Sequence, residues 1–250
     1  MRAGLPTSCP VLVAHRGDVE HYTENTLAAF AGAAKLGVTH VELDVQVTSD
    51  GVPVVLHDPS AARTHGVSVD VRKHTAETLA RHGLFDPDRF ACPVARLRDF
   101  VAWMGGIPGM HVFVEIKKES IRTRGRERVL KVVGDALTPI AGRYTLISYD
   151  ARILAMARQH GHPVGYVLPT MGNRYRIIAE NLAPEFVFAD CRQILRAGGI
   201  WPGNWNWASF EIEDIVTVQR LIGLGVRYIE TMKPAALIDA FLRRPETLVS

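Results

Sequence analysis

The chain has little of what would tie it to disulfide formation or to a membrane. It contains only three cysteines in 250 residues, Cys9, Cys92 and Cys191. An odd and scattered set argues against a disulfide framework and fits a reducing compartment. The first ten residues have no apolar stretch of the signal-peptide type, and no apolar run approaches the length that spans a bilayer. We therefore predict a cytoplasmic protein without membrane insertion.

Charge of one sign is also scarce. The formal net charge is +3 and the sequence pI is near 8.8, short of the concentrated positive charge with which proteins bind nucleic acid. The one basic stretch, residues 117–131, is interrupted by Glu119 and Glu127, so we expect a solvated helix face there. The composition predicts no nucleic-acid partner and leaves the oligomeric state open.

Apolar strand patterns alternate with amphipathic helical patterns almost from end to end. This alternation is typical of βαβ units and a mostly parallel sheet, and the length is about that of one (β/α)₈ barrel. The predicted strands are residues 11–14, 39–47, 52–56, 111–116, 144–148, 164–168, 186–189, 204–208 and 227–230. The predicted helices are residues 25–36, 122–137, 151–160, 211–224 and 235–243.

Nine strand candidates exceed the eight of a closed barrel, so one is expected to be peripheral. Only residues 48–51 separate the second and third candidates, which is too short for a parallel crossover and favours a hairpin. A hairpin centred on Ser49-Asp50 would place Glu42 opposite His57. We predict a TIM-like (β/α)₈ barrel that is irregular around strands 2 and 3. It forms a single domain, residues 1–250, with a lid-like insertion at about 59–100.

The first predicted strand ends in His15-Arg16-Gly17. The active site of a parallel barrel is built from the carboxyl ends of its strands. A histidine there can transfer protons near neutral pH, and an arginine can hold a phosphate through two hydrogen bonds. Taken alone, His15 is explained equally well as a buried, hydrogen-bonded histidine.

Carboxylates follow the same pattern on two later strands. Glu42 and Asp44 are two residues apart and therefore share one face of a strand. Neighbouring carboxylates are costly to bury unless a cation neutralises them. A divalent cation with oxygen ligands is one solution, and an ion pair with arginine is the other. Glu115 and Lys117 would add a third carboxylate and a positive charge for a phosphate, and His57 ends the third strand.

Glu24 and Asn25 lie where the first predicted helix begins. One interpretation is helix capping by Thr23 or Asn25, with the acid near the positive end of the helix dipole. The other is that Glu24 and Asn25 lie beside the His15 loop as a metal ligand and a polar anchor. The local sequence does not separate the two.

Together these motifs resemble, in order and spacing, those of the glycerophosphodiester phosphodiesterase family. The resemblance is dense over residues 11–118 and looser beyond. The motifs that carry it are His15-Arg16-Gly17, Glu24-Asn25-Thr26, Glu42-Leu43-Asp44, His57-Asp58 and Glu115-Ile116-Lys117.

The resemblance implies a TIM barrel that binds one divalent cation, Mg²⁺ or Ca²⁺. The ligands would be Glu42, Asp44 and Glu115, with Glu24 as a further candidate. It also implies that His15 and His57 are the acid/base pair, and that Arg16 and Lys117 contact the phosphate. The implied reaction hydrolyses a small-molecule glycerophosphodiester to an alcohol and glycerol 3-phosphate.

The last third of the chain departs from the family pattern. Trp207-Ala208-Ser209-Phe210 stands where family members commonly have Trp-Thr-Val-Asn, and Glu230-Thr231 where they often have Thr-Asp. Trp207 is a further candidate pocket residue, and the substrate stays open. The alternatives are a lysophospholipase D-like or sphingolipid phosphodiesterase on the same barrel, or a non-catalytic barrel that binds phosphate or metal.

Overall fold

A computed structural model of the chain describes residues 10–243, so Cys9 and the rest of the segment examined for a signal peptide lie outside the described residues. Ten strands form one sheet. They are β1 (Val11–His15), β2 (His40–Val47), β3 (Pro53–Val55), β4 (Ala95–Arg96), β5 (His111–Ile116), β6 (Tyr144–Ser148), β7 (Val164–Val167), β8 (Phe186–Asp190), β9 (Asn206–Phe210) and β10 (Tyr228–Thr231).

Eight of these strands close into a parallel barrel. β1 pairs in parallel with β2 on one side and with β10 on the other, so the first and last strands of the barrel are neighbours. The remaining parallel pairs are β2–β5, β5–β6, β6–β7, β7–β8, β8–β9 and β9–β10. The predicted (β/α)₈ barrel is confirmed.

The peripheral strand is β3, the third predicted strand along the chain. It lies outside the barrel and pairs antiparallel with β2, as the short connection predicted. The predicted register is wrong by one residue, because Val45 pairs with Val55 and the Leu56 amide donates to the Asp44 carbonyl. The reason is the turn. The Thr48 hydroxyl accepts a hydrogen bond from the Val52 amide and donates to Asp50. This makes a loop of residues 49–51, centred on Asp50, with Gly51 at a φ of +92°.

Helices cover the outside of the barrel and the insertion. They are α1 (Leu27–Lys35), α2 (Ala62–His65), α3 (Ala76–Arg81), α4 (Leu97–Gly105), α5 (Lys118–Arg124), α6 (Arg126–Leu137), α7 (Ala151–Gln159), α8 (Asn173–Leu182), α9 (Cys191–Ala197), α10 (Ile215–Gly223) and α11 (Pro234–Arg243). The helix predicted over 122–137 is divided, because Gly125 has φ +79° and ψ 155°, which no helix accommodates. The cap of α1 is Thr26 rather than Thr23 or Asn25.

Alternation along the strands divides the side chains between the helix-facing core and the barrel interior. Val41, Leu43 and Val45 of β2 point to the helices and belong to the main core, which leaves Glu42 and Asp44 for the interior. The amino-terminal half of the interior is filled by rings in mutual contact. We call this set the aromatic plug: His40, His111, Phe113, Phe186, Phe188 and Tyr228. It forms an apolar floor below the strand ends.

The segment between β3 and β4 has a small core of its own. Its buried members include Val54 of β3 and Leu56 directly after that strand, so the segment packs on the hairpin. The cluster comprises Val54, Leu56, Ala61, Val69, Val71, Leu79, Leu84 and Val94. Its function as a lid stays a prediction. Across residues 10–243, every helix is too short or too polar to cross a membrane.

Candidate active site

Three strands bring most of the predicted residues to one end of the barrel. His15 ends β1, Glu42 and Asp44 lie on β2, Glu115 lies on β5, and Lys117 follows β5 directly. The registers place His15 beside Glu42 and Asp44 beside Glu115. These side chains meet at the carboxyl ends of the strands, around a cavity of about 390 Å³.

Three of the carboxylates form a compact cluster. Glu42, Asp44 and Glu115 each offer an oxygen, and these oxygens all lie within 4.8 Å of one another. Glu42 and Asp44 are buried, and neither oxygen of Glu42 accepts a hydrogen bond from any residue that the structure describes. A buried carboxylate without donors is costly, so this donor set fits a hard divalent cation.

Arg16 and Lys117 form ion pairs with two carboxylates of this cluster. Lys117 Nζ lies 3.1 Å from Asp44 and 3.0 Å from Glu115, and Arg16 Nε lies 3.0 Å from Asp44. The rival interpretation of the acids, pairing with arginine, therefore holds for Asp44. It does not hold for Glu42, which keeps no such partner among the described residues.

The electrostatics of the cluster follow from this unequal pairing. Burial raises the pKa of Glu42 well above its usual value, and Asp44 adds to the effect. Burial also acts on Asp44, but the charges of Lys117 and Arg16 outweigh it and hold the pKa of that carboxyl well below its usual range. The surroundings therefore favour the ionised form of Asp44 and disfavour that of Glu42.

The two histidines both line the cavity but differ in exposure. His15 is buried, with Nε2 3.7 Å from Glu42, and burial lowers its pKa to about 3. His57 is partly exposed, and its Nδ1 lies 2.7 Å from Asp58. Hydrogen bonds from Arg63 and His57 outweigh burial and lower the pKa of Asp58, so this carboxylate only accepts. Nδ1 of His57 is therefore the donor, and Nε2 is left for proton transfer.

Glu24 and Asn25 lie beside the cluster in different roles. Asn25, at a φ of 59°, brackets Asp44: its Nδ2 donates to Oδ2 at 2.9 Å, and its Oδ1 accepts from the Asp44 amide at 3.2 Å. Glu24 is paired with Arg16 at 3.2 Å and with Arg63 at 2.7 Å. The described acidic clusters that could hold a metal do not include Glu24.

One acid of the site was missing from the sequence-based set. Glu230, on β10, is buried with Oε1 3.4 Å from His15 Nε2, and burial raises its pKa to about 8. The sequence does contain a signal for it, because Glu230 lies one residue before the carboxyl end of the last barrel strand, and the candidate residues on the other strands lie at the same end. His15, Glu42 and Glu230 form a second group whose ligand atoms lie close enough together to hold a metal ion.

The far side of the cavity combines apolar and polar side chains. Its apolar part comes from strands β6 to β9 and consists of Ile147, Val167, Phe188 and Phe210, while Tyr149 and Glu211 also line the cavity. Trp207 is not among the lining residues: it packs in the main core, and its indole N–H donates to the Trp201 carbonyl at 3.0 Å. Alternation along β9 explains this, since Ala208 and Phe210 take the interior positions.

This arrangement of strand-end acids and histidines has a match among known families. The sequence model of the Glycerophosphoryl diester phosphodiesterase family matches residues 15–189. The chain belongs to this family. The matched range includes every residue of the acidic cluster and both histidines, whereas Glu230 lies beyond it.

The chain is also similar in sequence to individual glycerophosphodiester phosphodiesterases, over shorter stretches. A glycerophosphodiester phosphodiesterase of Caldanaerobacter subterraneus subsp. tengcongensis is 44% identical over 71 residues, which cover 28% of this chain and 29% of that protein. A glycerophosphodiester phosphodiesterase of Bacillus altitudinis is 32% identical over 124 residues, covering 48% of this chain and 50% of that protein. The matched stretches thus span half or less of these relatives.

Solved structures share the fold over almost the whole length. A phosphodiesterase of Oleispira antarctica, in complex with the product sn-glycerol-3-phosphate, superposes with a TM-score of 0.75 at 20% identity, covering 93% of this chain and 97% of that one. A glycerophosphodiester phosphodiesterase of Parabacteroides distasonis gives a TM-score of 0.78 at 16% identity, covering 95% and 100%. The barrel is therefore that of the family.

Proposed function

We propose that the chain hydrolyses small-molecule glycerophosphodiesters to an alcohol and glycerol 3-phosphate. The observation that carries the proposal is the buried carboxylate of Glu42, without a hydrogen-bond donor among the described residues. It lies in one cavity with His15 and His57. Family membership supports the reaction class, and the complex of the Oleispira protein with sn-glycerol-3-phosphate supports a small substrate.

Glu42, Asp44 and Glu115 would hold one divalent cation, either Mg²⁺ or Ca²⁺. When bound, such a cation polarises phosphoryl oxygens and offsets the negative charge of the transition state. Charge balance supports this assignment. Among residues 10–243, the four carboxylates of Glu42, Asp44, Glu115 and Glu230 form ion pairs with two permanent cations, Arg16 and Lys117, so two negative charges remain without such a partner if all four acids ionise.

Arg16 and Lys117 would hold the phosphate. Both line the cavity, and both are paired with the acids that would hold the cation. These ion pairs hold the two positive charges beside the proposed metal ligands. The guanidinium of Arg16 suits two phosphate oxygens, whereas the ammonium of Lys117 acts as a point charge.

His15 and His57 would divide the proton transfers. One accepts a proton from the attacking hydroxyl, which belongs to water or to the substrate's own glycerol. The other donates a proton to the leaving alkoxide. Each transfer is worth typically about 10²–10⁴-fold. If the attacking hydroxyl belongs to the glycerol, a cyclic phosphate would form first and water would open it.

The apolar part of the far side of the cavity favours a second candidate substrate class. Ile147, Val167, Phe188 and Phe210 would accept an alkyl chain, as in a lysophospholipid. The same histidines and acids would act on that phosphodiester bond. Cytoplasmic location and the lack of a nucleic-acid partner stay predictions.

The test is a product assay with the purified chain. Glycerophosphocholine, glycerophosphoethanolamine, lysophosphatidylcholine and sphingomyelin are each incubated with metal-stripped protein, with and without added Mg²⁺ or Ca²⁺. Phosphorus NMR identifies the products. We expect metal-dependent release of glycerol 3-phosphate from the first two substrates.

Each other outcome points to a different function. Turnover of the lysolipid or the sphingolipid alone would favour the second candidate. Binding of metal or phosphate without turnover of any substrate would identify a non-catalytic barrel. Full activity in the metal-stripped protein would contradict the cation assignment.

A further inference from the structure

An arginine of the insertion reaches into the candidate site. Arg63 lies on α2, the four-residue helix that follows the His57 loop. Its Nε donates to Asp58 at 2.6 Å, and its two Nη atoms donate to the two oxygens of Glu24 at 2.8 and 2.7 Å. One guanidinium therefore bridges a carboxylate after β1 and a carboxylate after β3.

The bridge depends on the shape of the guanidinium group. Its planar fork presents donors on two edges, so it can hold Glu24 along one edge and Asp58 along the other. The ammonium of a lysine is a single point and reaches one carboxylate well. Half of the Arg63 side chain is exposed, whereas Glu24 is only 11% exposed. The arginine thus covers the acid from the solvent side.

Both carboxylates also contact residues of the candidate site. The other oxygen of Asp58 accepts from His57 Nδ1 at 2.7 Å. Glu24 also contacts Arg16, whose Nε lies 3.0 Å from Asp44. Arg63 is the point at which the His57 loop and the Arg16 loop are joined.

We propose that Arg63 is a positioning residue for the proposed reaction. It orients Asp58 so that His57 keeps its proton on Nδ1 and presents Nε2 to the cavity. It also keeps Glu24 turned toward Arg16. The inference rests on the proposed function, because the orientation of His57 matters only if His57 transfers a proton.

A purely structural ion pair in the same insertion provides the matched control. Arg72 pairs with Asp70 through two hydrogen bonds at 2.9 and 2.8 Å, and neither residue is among those that line the cavity. Arg72→Gln removes the same type of contact from the same segment. It should leave turnover and the tautomer of His57 unchanged.

The experiment compares Arg63→Gln, Arg63→Lys, Arg63→Ala and Arg72→Gln in the full chain. We expect Arg63→Gln to lower kcat by about 10–100-fold, the usual effect of losing a partner behind a functional group, with little change in KM. Arg63→Lys should recover only a small part of the loss. Added guanidinium should partly restore Arg63→Ala, whereas added methylammonium should not.

A second readout does not need turnover. The ¹⁵N chemical shifts of the His57 ring report its tautomer, assigned by comparison with His57→Gln. In the wild type we expect the Nδ1–H form alone, and in Arg63→Gln a mixture of both forms. If the wild type hydrolyses no phosphodiester, the proposed function fails, and the ring shifts still test the effect of Arg63 on His57.

Two results would overturn the inference. One is a kcat of Arg63→Gln within twofold of the wild type together with unchanged ring shifts. The other is an equal loss of kcat in Arg63→Gln and Arg72→Gln, since that would show a general weakening of the insertion.

Discussion

Asn25 holds Asp44 at two points, donating to its carboxylate and accepting from its backbone amide. The positive φ of Asn25 makes this bracket possible, because it turns the amide back toward β2. Asp44 is thereby fixed in orientation before any cation binds. This is the kind of outer contact that sets the affinity of a metal site.

Removing the bracket should weaken metal binding without unfolding the barrel. We expect Asn25→Gly, which keeps the positive φ free of strain, to lower divalent-metal affinity by about 10–100-fold. Calorimetric titration of metal-stripped protein measures it. Ala183→Gly, at another positive φ (47°) far from the site, is the control and should bind metal like the wild type. Equal affinity in Asn25→Gly would show that Asp44 needs no bracket.

Replacing Glu42 should separate metal binding from folding. We expect metal-free Glu42→Gln to melt at or above the wild-type Tm, because the change removes a buried carboxylate that lacks donors. At a metal concentration 100-fold above Kd, the wild type should gain about 2.7 kcal/mol. The variant should gain almost none. Thermal melts with and without metal test this, with Glu180→Gln on α8 as control. A Glu42→Gln variant that keeps the full metal-induced shift would exclude Glu42 as a ligand.

The two histidines should act as a unit. His15→Ala and His57→Ala should each lower kcat by about 10²–10⁴-fold with little effect on metal affinity. The double variant should be scarcely slower than the slower single one. Exposed His160, on the far end of α7, provides the control variant His160→Ala. Losses that multiply in the double variant would argue for two independent contributions.

A nitrophenyl phosphodiester should then assign the two roles. Its leaving group needs little protonation, so it should restore the variant that lacks the general acid and leave the variant that lacks the base inactive. Rates for both single variants on activated and ordinary substrates give the comparison. Equal rescue of both, or of neither, would contradict a division of labour between His15 and His57.

Much of this site could be predicted because alternation along a strand is a local property. Glu42 and Asp44 share a face by spacing alone, and the closed barrel then brings them beside Glu115. The hairpin register could not be predicted, since side-chain hydrogen bonds of Thr48 add one residue to the turn. Arg63 was missed because its partners, Glu24 and Asp58, come from loops that only the folded barrel brings together.

The helices were harder to predict than the strands. Helices α4, α8 and α9 were missed. The cap residue of α8, Gly172, makes no side-chain hydrogen bond, and α9 has only seven residues. Strand β9 begins two residues later than predicted, because its pairing with β8 starts at Asn206. Local pattern could not show this shift, which depends on a neighbouring strand.

The aromatic plug should make stability depend on pH. Burial lowers the pKa of both His40 and His111 to about 4, from a usual value of 6.5. Above pH 6.5 both states are neutral. As the pH falls from 6.5 toward 4, these histidines bind protons in the unfolded chain but stay neutral in the folded chain, so the free energy of unfolding falls. Both rings keep some contact with water, so we expect the pair to cost about 3 kcal/mol by pH 4.5.

Urea unfolding at pH 8 and at pH 4.5 measures this loss. The double variant His40→Gln/His111→Gln is the comparison, because carboxylates elsewhere titrate in both proteins and cancel. We expect a smaller difference between the two pH values in the variant, whatever its stability at pH 8. An equal difference would mean that the two histidines contribute nothing to acid sensitivity.

The pairing of β1 with β10 also has a consequence during synthesis on the ribosome. Val11 is made more than 200 residues before its partner Tyr228. Until then the nascent barrel has an open edge at β1 and another at the newest strand, and such edges invite pairing with other chains. A ribosome that stalls before β10 would release a chain with both edges exposed and with His15 lacking Glu230. Such a fragment should be insoluble and a target for chaperones.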